Sequence, residues 1–309
     1  MPKQILKPNR KNLWRYIFQQ ISKKCKVKCK QYCFYKGLRL QMGSVLSKPP
    51  VFHTLVQINI KEIPDFKDVI DLIHKEFYKS GFIDKKSEEI EELEFTVHVA
   101  QPKVKKMTSW HFINFEQDAG FVVNPNFIVF HTTNYLGFEK FKEALLLGMG
   151  IINKHLEMIV IERIGLRFLN AVIIQDGEQV DNYLVKDLLS VQDKLGLDEE
   201  CFKIQHAMNE KILINENSNE TCVSRIVSAK LANSNPLLPQ ELVPLIQHLK
   251  LKKELNNITG LMTLIDLDTS KVGIRVKSTE IAEWNTYFVR LHDNLSNVFK
   301  SIVNVEAFR

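Results

Sequence analysis

The chain has 309 residues, 42 Lys and Arg against 36 Asp and Glu, and a formal charge of +6 with neutral histidines. It is 45% hydrophobic and 25% charged, with 12 Gly and 10 Pro, which excludes a collagen-like repeat and a wholly disordered chain. No stretch reaches the ~18 uninterrupted apolar residues that a membrane span needs, and one or two domains are expected at this length.

The charge is concentrated at the start. Residues 1 to 41 carry twelve Lys and Arg and no acid, which leaves 30 cations against 36 anions, a net −6, in the remainder. Trp14, Tyr16, Phe18, Tyr32, Phe34 and Tyr35 interleave with these cations. That composition suits nucleic acid or anionic lipid. The leading expectation is blander: Met42-Gly43-Ser44 is a second start signal, and residues 1–42 are a basic upstream extension or a solvated tail. Met42 to Ser47 also fits the short myristoylation pattern. Five cysteines, an odd number with only Cys201 and Cys222 in the body, indicate no disulfide framework and suit a reducing cytoplasm.

From Pro49 onward, elements follow from periodicity. Val51 to Ile60 is expected as a strand, with Leu55, Gln57 and Asn59 opposite Val56, Ile58 and Ile60. A helix opens at Ile63-Pro64-Asp65 and runs to about Ser80, before Gly81. Asp84 to Glu92 reads as a charged loop, Glu94 to Ala100 as a strand and Pro102 to Lys106 as a basic turn. Trp110 to Glu116 and Gly120 to Val123 form a hairpin, and Phe127 to Thr132 a further strand. Gly137 to Leu156 is a helix, Ile159 to Ile174 a long strand and Asp181 to Leu195 a helix. Phe202 to Ile214 pairs with Thr221 to Leu231. A helix near Gln240 to Leu255, a strand from Gly260 to Asp268 and a helix from Thr279 to Val303 close the chain. The order predicts an α+β protein of two similar β-α-β-α units, 43–157 and 158–309, fused into one body. Its antiparallel sheet would have helices on one face, by analogy with TATA-binding-protein or helix-grip arrangements.

Ile161-Glu162-Arg163-Ile164-Gly165-Leu166-Arg167-Phe168-Leu169-Asn170 is the most distinctive segment. Alternation sets Ile164, Leu166 and Phe168 towards a core and Arg163, Gly165 and Arg167 on the other face. Two guanidiniums flanking a glycine suit capture of a carboxylate or phosphate. The competing expectation is that they pair with acids on a neighbouring strand, for which Asp266 and Asp268, two apart and so on one face, are the candidates. Asp266, Asp268 and His292 form a weak candidate acid/base set, while His53, His98, His111 and His131 are scattered. No dinucleotide, Walker, nucleophile-elbow or zincin motif occurs, so no cofactor or resident metal is expected.

Pro49-Pro50-Val51, Ile164 to Asn170, Leu264-Ile265-Asp266-Leu267-Asp268 and Leu291-His292 together resemble a sporadically distributed family of microbial proteins, over residues 43 to 309. The resemblance implies relatives and a shared fold rather than a chemistry, and a patchy family of this kind suits a defence or toxin–antitoxin setting. Where the family often has an acid after Pro-Pro, this chain has His53. Three functional readings result. The first is a cytoplasmic binding or regulatory protein acting through a protein partner or self-association. The second is a nucleic-acid or phosphate binder using Arg163 and Arg167. The third is an enzyme using Asp266, Asp268 and His292. The sequence names no small-molecule ligand.

Overall fold

Alternation in the strands and three- and four-residue stepping in the helices divide the apolar residues of the chain between two faces of one sheet. The computed structural model describes residues 49–94, 103–156, 158–175, 177–185 and 205–308; Leu46–Arg309 make up one compact unit. The strands are β1 (Val51–Ile60), β2 (Asp84–Glu94), β3 (Lys103–Ile113), β4 (Ala119–Val123), β5 (Phe127–Thr132), β6 (Val160–Ile173), β7 (His206–Asn215), β8 (Glu220–Ser234) and β9 (Ile258–Lys277). The helices are α1 (Phe66–Lys79), α2 (Phe138–His155), the single turn α3 (Val243–Ile246) and α4 (Ile281–Ile302). All nine strands join in one antiparallel sheet of order β2-β3-β4-β5-β1-β6-β9-β8-β7, so the protein is of α+β class. Among the described residues no helix is long and apolar enough to cross a membrane.

One face of the sheet carries the main core. Val56, Ile58, Phe112, Phe121, Phe130, Ile164, Leu166, Ile265 and Leu267 meet the buried stripes of α1 (Phe66, Ile70, Ile73, Phe77), α2 (Phe141, Leu145, Met149, Ile152) and α4 (Trp284, Phe288, Leu291, Leu295). Close approach of α2 requires a glycine, since a Cβ on Gly148 would lie 2.1 Å from the Phe121 ring. Burial of these aliphatic and aromatic side chains, at roughly 1.5–3 kcal/mol each, is the main favourable term.

The opposite face is not left open. The 23 residues between β8 and β9 fold back across it as a strap. Leu242, Ile246 and Leu255 of the strap pack on Phe52, Leu55, Val122, Val129 and Leu169. Lys250 N donates to Gln117 O at 2.6 Å, Thr133 Oγ1 to Lys250 O at 2.6 Å, and Lys252 Nζ to Val51 O at 3.0 Å. The helix expected over Gln240 to Leu255 is therefore corrected to short 3-10 turns around α3, because a segment laid on a flat sheet must present its leucines downward at uneven spacing.

Three other expectations change, one of them the basic turn expected over Pro102 to Lys106, which from Lys103 on is the start of β3. The acidic run from Asp84 is a strand, not a loop, in register with β3 from Asp84 opposite Ile113 to Glu94 opposite Lys103. β9 runs 20 residues through Asp268 instead of stopping there. Positions 1–48, 95–102 and 186–204, which include the basic extension and most of the helix expected over Asp181 to Leu195, lie outside the described residues.

Candidate functional site

β1 lies between β5 and β6, and that placement assembles a polar row across the strap-side face of the sheet. At its centre Arg167 on β6 is 8% exposed. Its Nε and Nη2 each donate to Asp266 on β9 at 2.7 Å, a bidentate pair, and Nη1 donates to Glu241 of the strap at 2.9 Å. Arg225 on β8 continues the row, donating to Asp266 Oδ2 at 3.4 Å and to Glu210 on β7 at 2.5 Å. Burial pushes the Arg167 pKa down, but the hydrogen bonds and charge of Asp266 outweigh it and raise it overall.

Arg163 shares this face. Its guanidinium lies over Gly165, where a Cβ would sit 3.1 Å from Nη1, and Nη1 donates to Asn59 at 3.4 Å. Asp268 is half-buried and makes no hydrogen bond or ion pair among the described residues. Burial raises its pKa, and the charges of Arg167 and Arg163 only partly counter this. Its charged form is less favourable folded than unfolded, so Asp268→Asn is expected to stabilise the protein at pH 7 by about 1 kcal/mol, read by urea denaturation. A loss of stability would show that the carboxylate makes a net favourable contribution instead.

On the other side of Arg167 the row consists of histidines. His53 (β1) and His131 (β5) are 0% and 1% exposed, with His53 Nε2 and His131 Nδ1 3.3 Å apart. Burial, and then the charge of Arg167, lowers the His53 pKa to about 3. Burial, aided by His53, His111 and His248, puts His131 well below its ordinary value. Farther along, His111 (β3) and His248 (strap) stand edge to face with ring centroids 4.7 Å apart. Glu88 on β2 accepts from His248 Nε2 at 2.6 Å and lies 3.6 Å from His111 Nε2. Glu88, His111 and His248 each offer a ligand atom within 4.8 Å of the others, the geometry of a possible metal cage. Burial lowers the His111 pKa to about 4, with Glu88 opposing.

The candidates read from sequence divide accordingly. Arg163 and Arg167 do share a face, but Arg167 is saturated by Asp266 and Glu241, so the two do not act together as a free anion clamp. Asp266, Asp268 and His292 do not converge. His292 stacks on Phe138 at 3.8 Å and packs against Phe168, which points away from Arg167, so the sheet separates it from both aspartates. The acid/base set is corrected on that ground. Sequence reading missed Glu88, His248, Glu241, Arg225 and Glu210. The available signal was parity: His111 alternates with the core residues Trp110 and Phe112, and His131 follows Phe130. No family model matches the chain, and no curated protein or solved structure is detectably similar to it; the resemblance noted above rests on its motifs.

Proposed function

We propose that the protein is a non-catalytic binding protein that acts through protein contacts, and that β7 is its docking edge with a second copy of the chain as occupant. The observation that carries this reading is the character of that edge. β7 ends the sheet among the described strands, and Met208, Ile212, Leu213 and Ile214 are 56–68% exposed. Edge strands are ordinarily blunted by charge, as β2 is by its glutamates. An exposed apolar edge is the pattern of strand addition.

Charge disfavours self-pairing in two registers. A two-fold axis at Glu210 or Lys211 would set like charges directly opposite each other, which is unfavourable. An axis at Leu213 sets Leu213 against itself and Ile212 against Ile214 of the second copy. A hollow of ≈300 Å³ beside the edge, lined by Leu213, Ile214, Cys222 and Arg290, adds surface on the helix side. The strand order supports a finer architectural reading, in which β1–β5 with α1 and α2, and β6–β9 with α4, are two versions of one unit joined between β1 and β6. A cytoplasmic setting is supported by the odd cysteine count. The phosphate-binding reading retains only Arg163, which Asp268 opposes.

Sedimentation analysis of the full chain is the test. The parent is expected to be dimeric, and Ile212→Lys with Ile214→Lys to be monomeric with an unchanged circular dichroism spectrum, since both side chains are exposed; loss of the dimer itself lowers the Tm. A parent that sediments as a monomer at all concentrations would overturn self-association. A dimer that survives the double substitution would overturn β7 as its site.

A further inference from the structure

We propose that Glu88, His111 and His248 form a binding site for a divalent transition metal of the zinc class. The site lies on the strap side of the sheet, at the β2–β3 end, far from β7 in strand order. Two imidazoles and one carboxylate are a donor set suited to zinc, and three protein ligands leave a fourth position for water. Glu88 is 31% exposed on its side chain while His111 is 3%, so the cluster has a buried floor and one open side.

Distances support the assignment. Ligand atoms ~2.1 Å from a tetrahedral zinc stand ~3.4 Å apart. His111 Nε2 is 3.6 Å from Glu88 Oε2, and His248 Nε2 is 2.6 Å from the other oxygen, Oε1; a small rotation of the carboxylate and less than ~1 Å of separation from His248 bring one oxygen into place. His111 provides an independent observation. Its Nδ1 is buried with no hydrogen-bond partner, and its Nε2 faces a carboxylate from beyond hydrogen-bond distance. A buried imidazole that makes no hydrogen bond among the described residues is an exception that calls for an occupant. A cation between His111 Nε2 and Glu88 supplies one for Nε2; it leaves Nδ1 as it is.

Without metal, a proton holds the place. Lys86 Nζ lies 3.3 Å from His248 Nδ1. An ammonium only donates, so Nδ1 accepts and the ring proton sits on Nε2, directed at Glu88. Metal binding moves that proton to Nδ1 and frees Lys86 from it; Gln247, which donates to Glu88 Oε1 at 3.3 Å, shifts with the carboxylate. Lys86 is therefore a competitor of the metal, by charge and by hydrogen bonding.

The experiment is a calorimetric titration of zinc chloride into the EDTA-treated full chain carrying Cys25→Ser, Cys29→Ser and Cys33→Ser, which removes thiols able to bind zinc on their own. One equivalent is expected. Cobalt in place of zinc is expected to give the visible bands of a low-coordinate nitrogen and oxygen site with no thiolate charge-transfer band. Changes outside the ligand shell cost ~10–100-fold in affinity, so His248→Ala and, separately, Glu88→Gln should each weaken zinc by about 100-fold or more. Lys86→Met should tighten it by about threefold or more. Absence of stoichiometric zinc binding, or binding undiminished in both ligand variants, would overturn the site; an unchanged affinity in Lys86→Met would remove Lys86 as the competitor.

Discussion

Arg167→Ala and Asp266→Ala are each expected to lower the free energy of unfolding by about 3–5 kcal/mol in urea denaturation. That is a large part of the ~5–15 kcal/mol typical of a folded domain. The cost arises because each substitution strands a charge that water cannot reach. Without Arg167, the Asp266 carboxylate, 1% exposed, retains only the 3.4 Å contact from Arg225. Without Asp266, the Arg167 guanidinium keeps Glu241 and loses both short bonds of the bidentate pair. Exchanging both for apolar residues of similar size, Arg167→Met with Asp266→Leu, removes the stranded charge and should recover more than half of either loss. Single substitutions that cost under ~1 kcal/mol would show that water reaches the pair and that the row is not a buried structural feature. Arg167 also fastens the strap through Glu241, so Arg167→Ala should speed amide exchange at Leu242 and Ile246 ahead of the sheet.

What could be read from the chain depended on whether the deciding interaction was local. β1 and β5 were legible to the residue, because Val56, Ile58 and Ile60 alternate with Leu55, Gln57 and Asn59, and turn residues bracket Phe127 to Thr132. α2 and α4 were legible from their stripes. The pairing of Arg167 with Asp266 was open to inference too, since both lie on the polar face of an alternating strand. β2 was hidden because its partner is β3, across a segment whose pairing composition does not reveal. β9 beyond Asp268 was hidden because Ser270-Lys271-Val272-Gly273 has the composition of a turn, with Gly273 at φ 71°. The strap, held by Thr133 and Lys252 contacts to distant strands, had no local signal. The histidine row was the least legible feature. His53, His131 and His111 come together only because β1 inserts beside β5, and His248 joins them only because the strap crosses the sheet.

That row should make the protein acid-labile well above the range in which carboxylates titrate. His53, His131 and His111 all have folded-state pKa values below the ordinary 6.5, to about 3 for His53 and about 4 for His111, with burial the main cause in each. His74 and His292 are lowered in the same sense. A depressed histidine stays neutral in the folded protein while the unfolded chain takes up a proton. Stability is therefore full above about pH 6.5 and falls as the pH drops towards the folded values, by about 1.4 kcal/mol per pH unit for each such group. The groups facing the central pair are Arg167 towards His53, and His111 and His248 towards His131; none is an acid that would favour the charged rings. His53→Leu with His131→Leu removes both rings together, including the unpartnered His53 Nδ1, and replacing both members of a buried polar pair by apolar groups is nearly neutral. At pH 7 the double variant should lie within about 1 kcal/mol of the parent. At pH 5 it should be the more stable by about 4 kcal/mol, two histidines over 1.5 pH units. Parallel stability curves for parent and variant between pH 7 and pH 5 would show that the pair does not titrate as its burial requires.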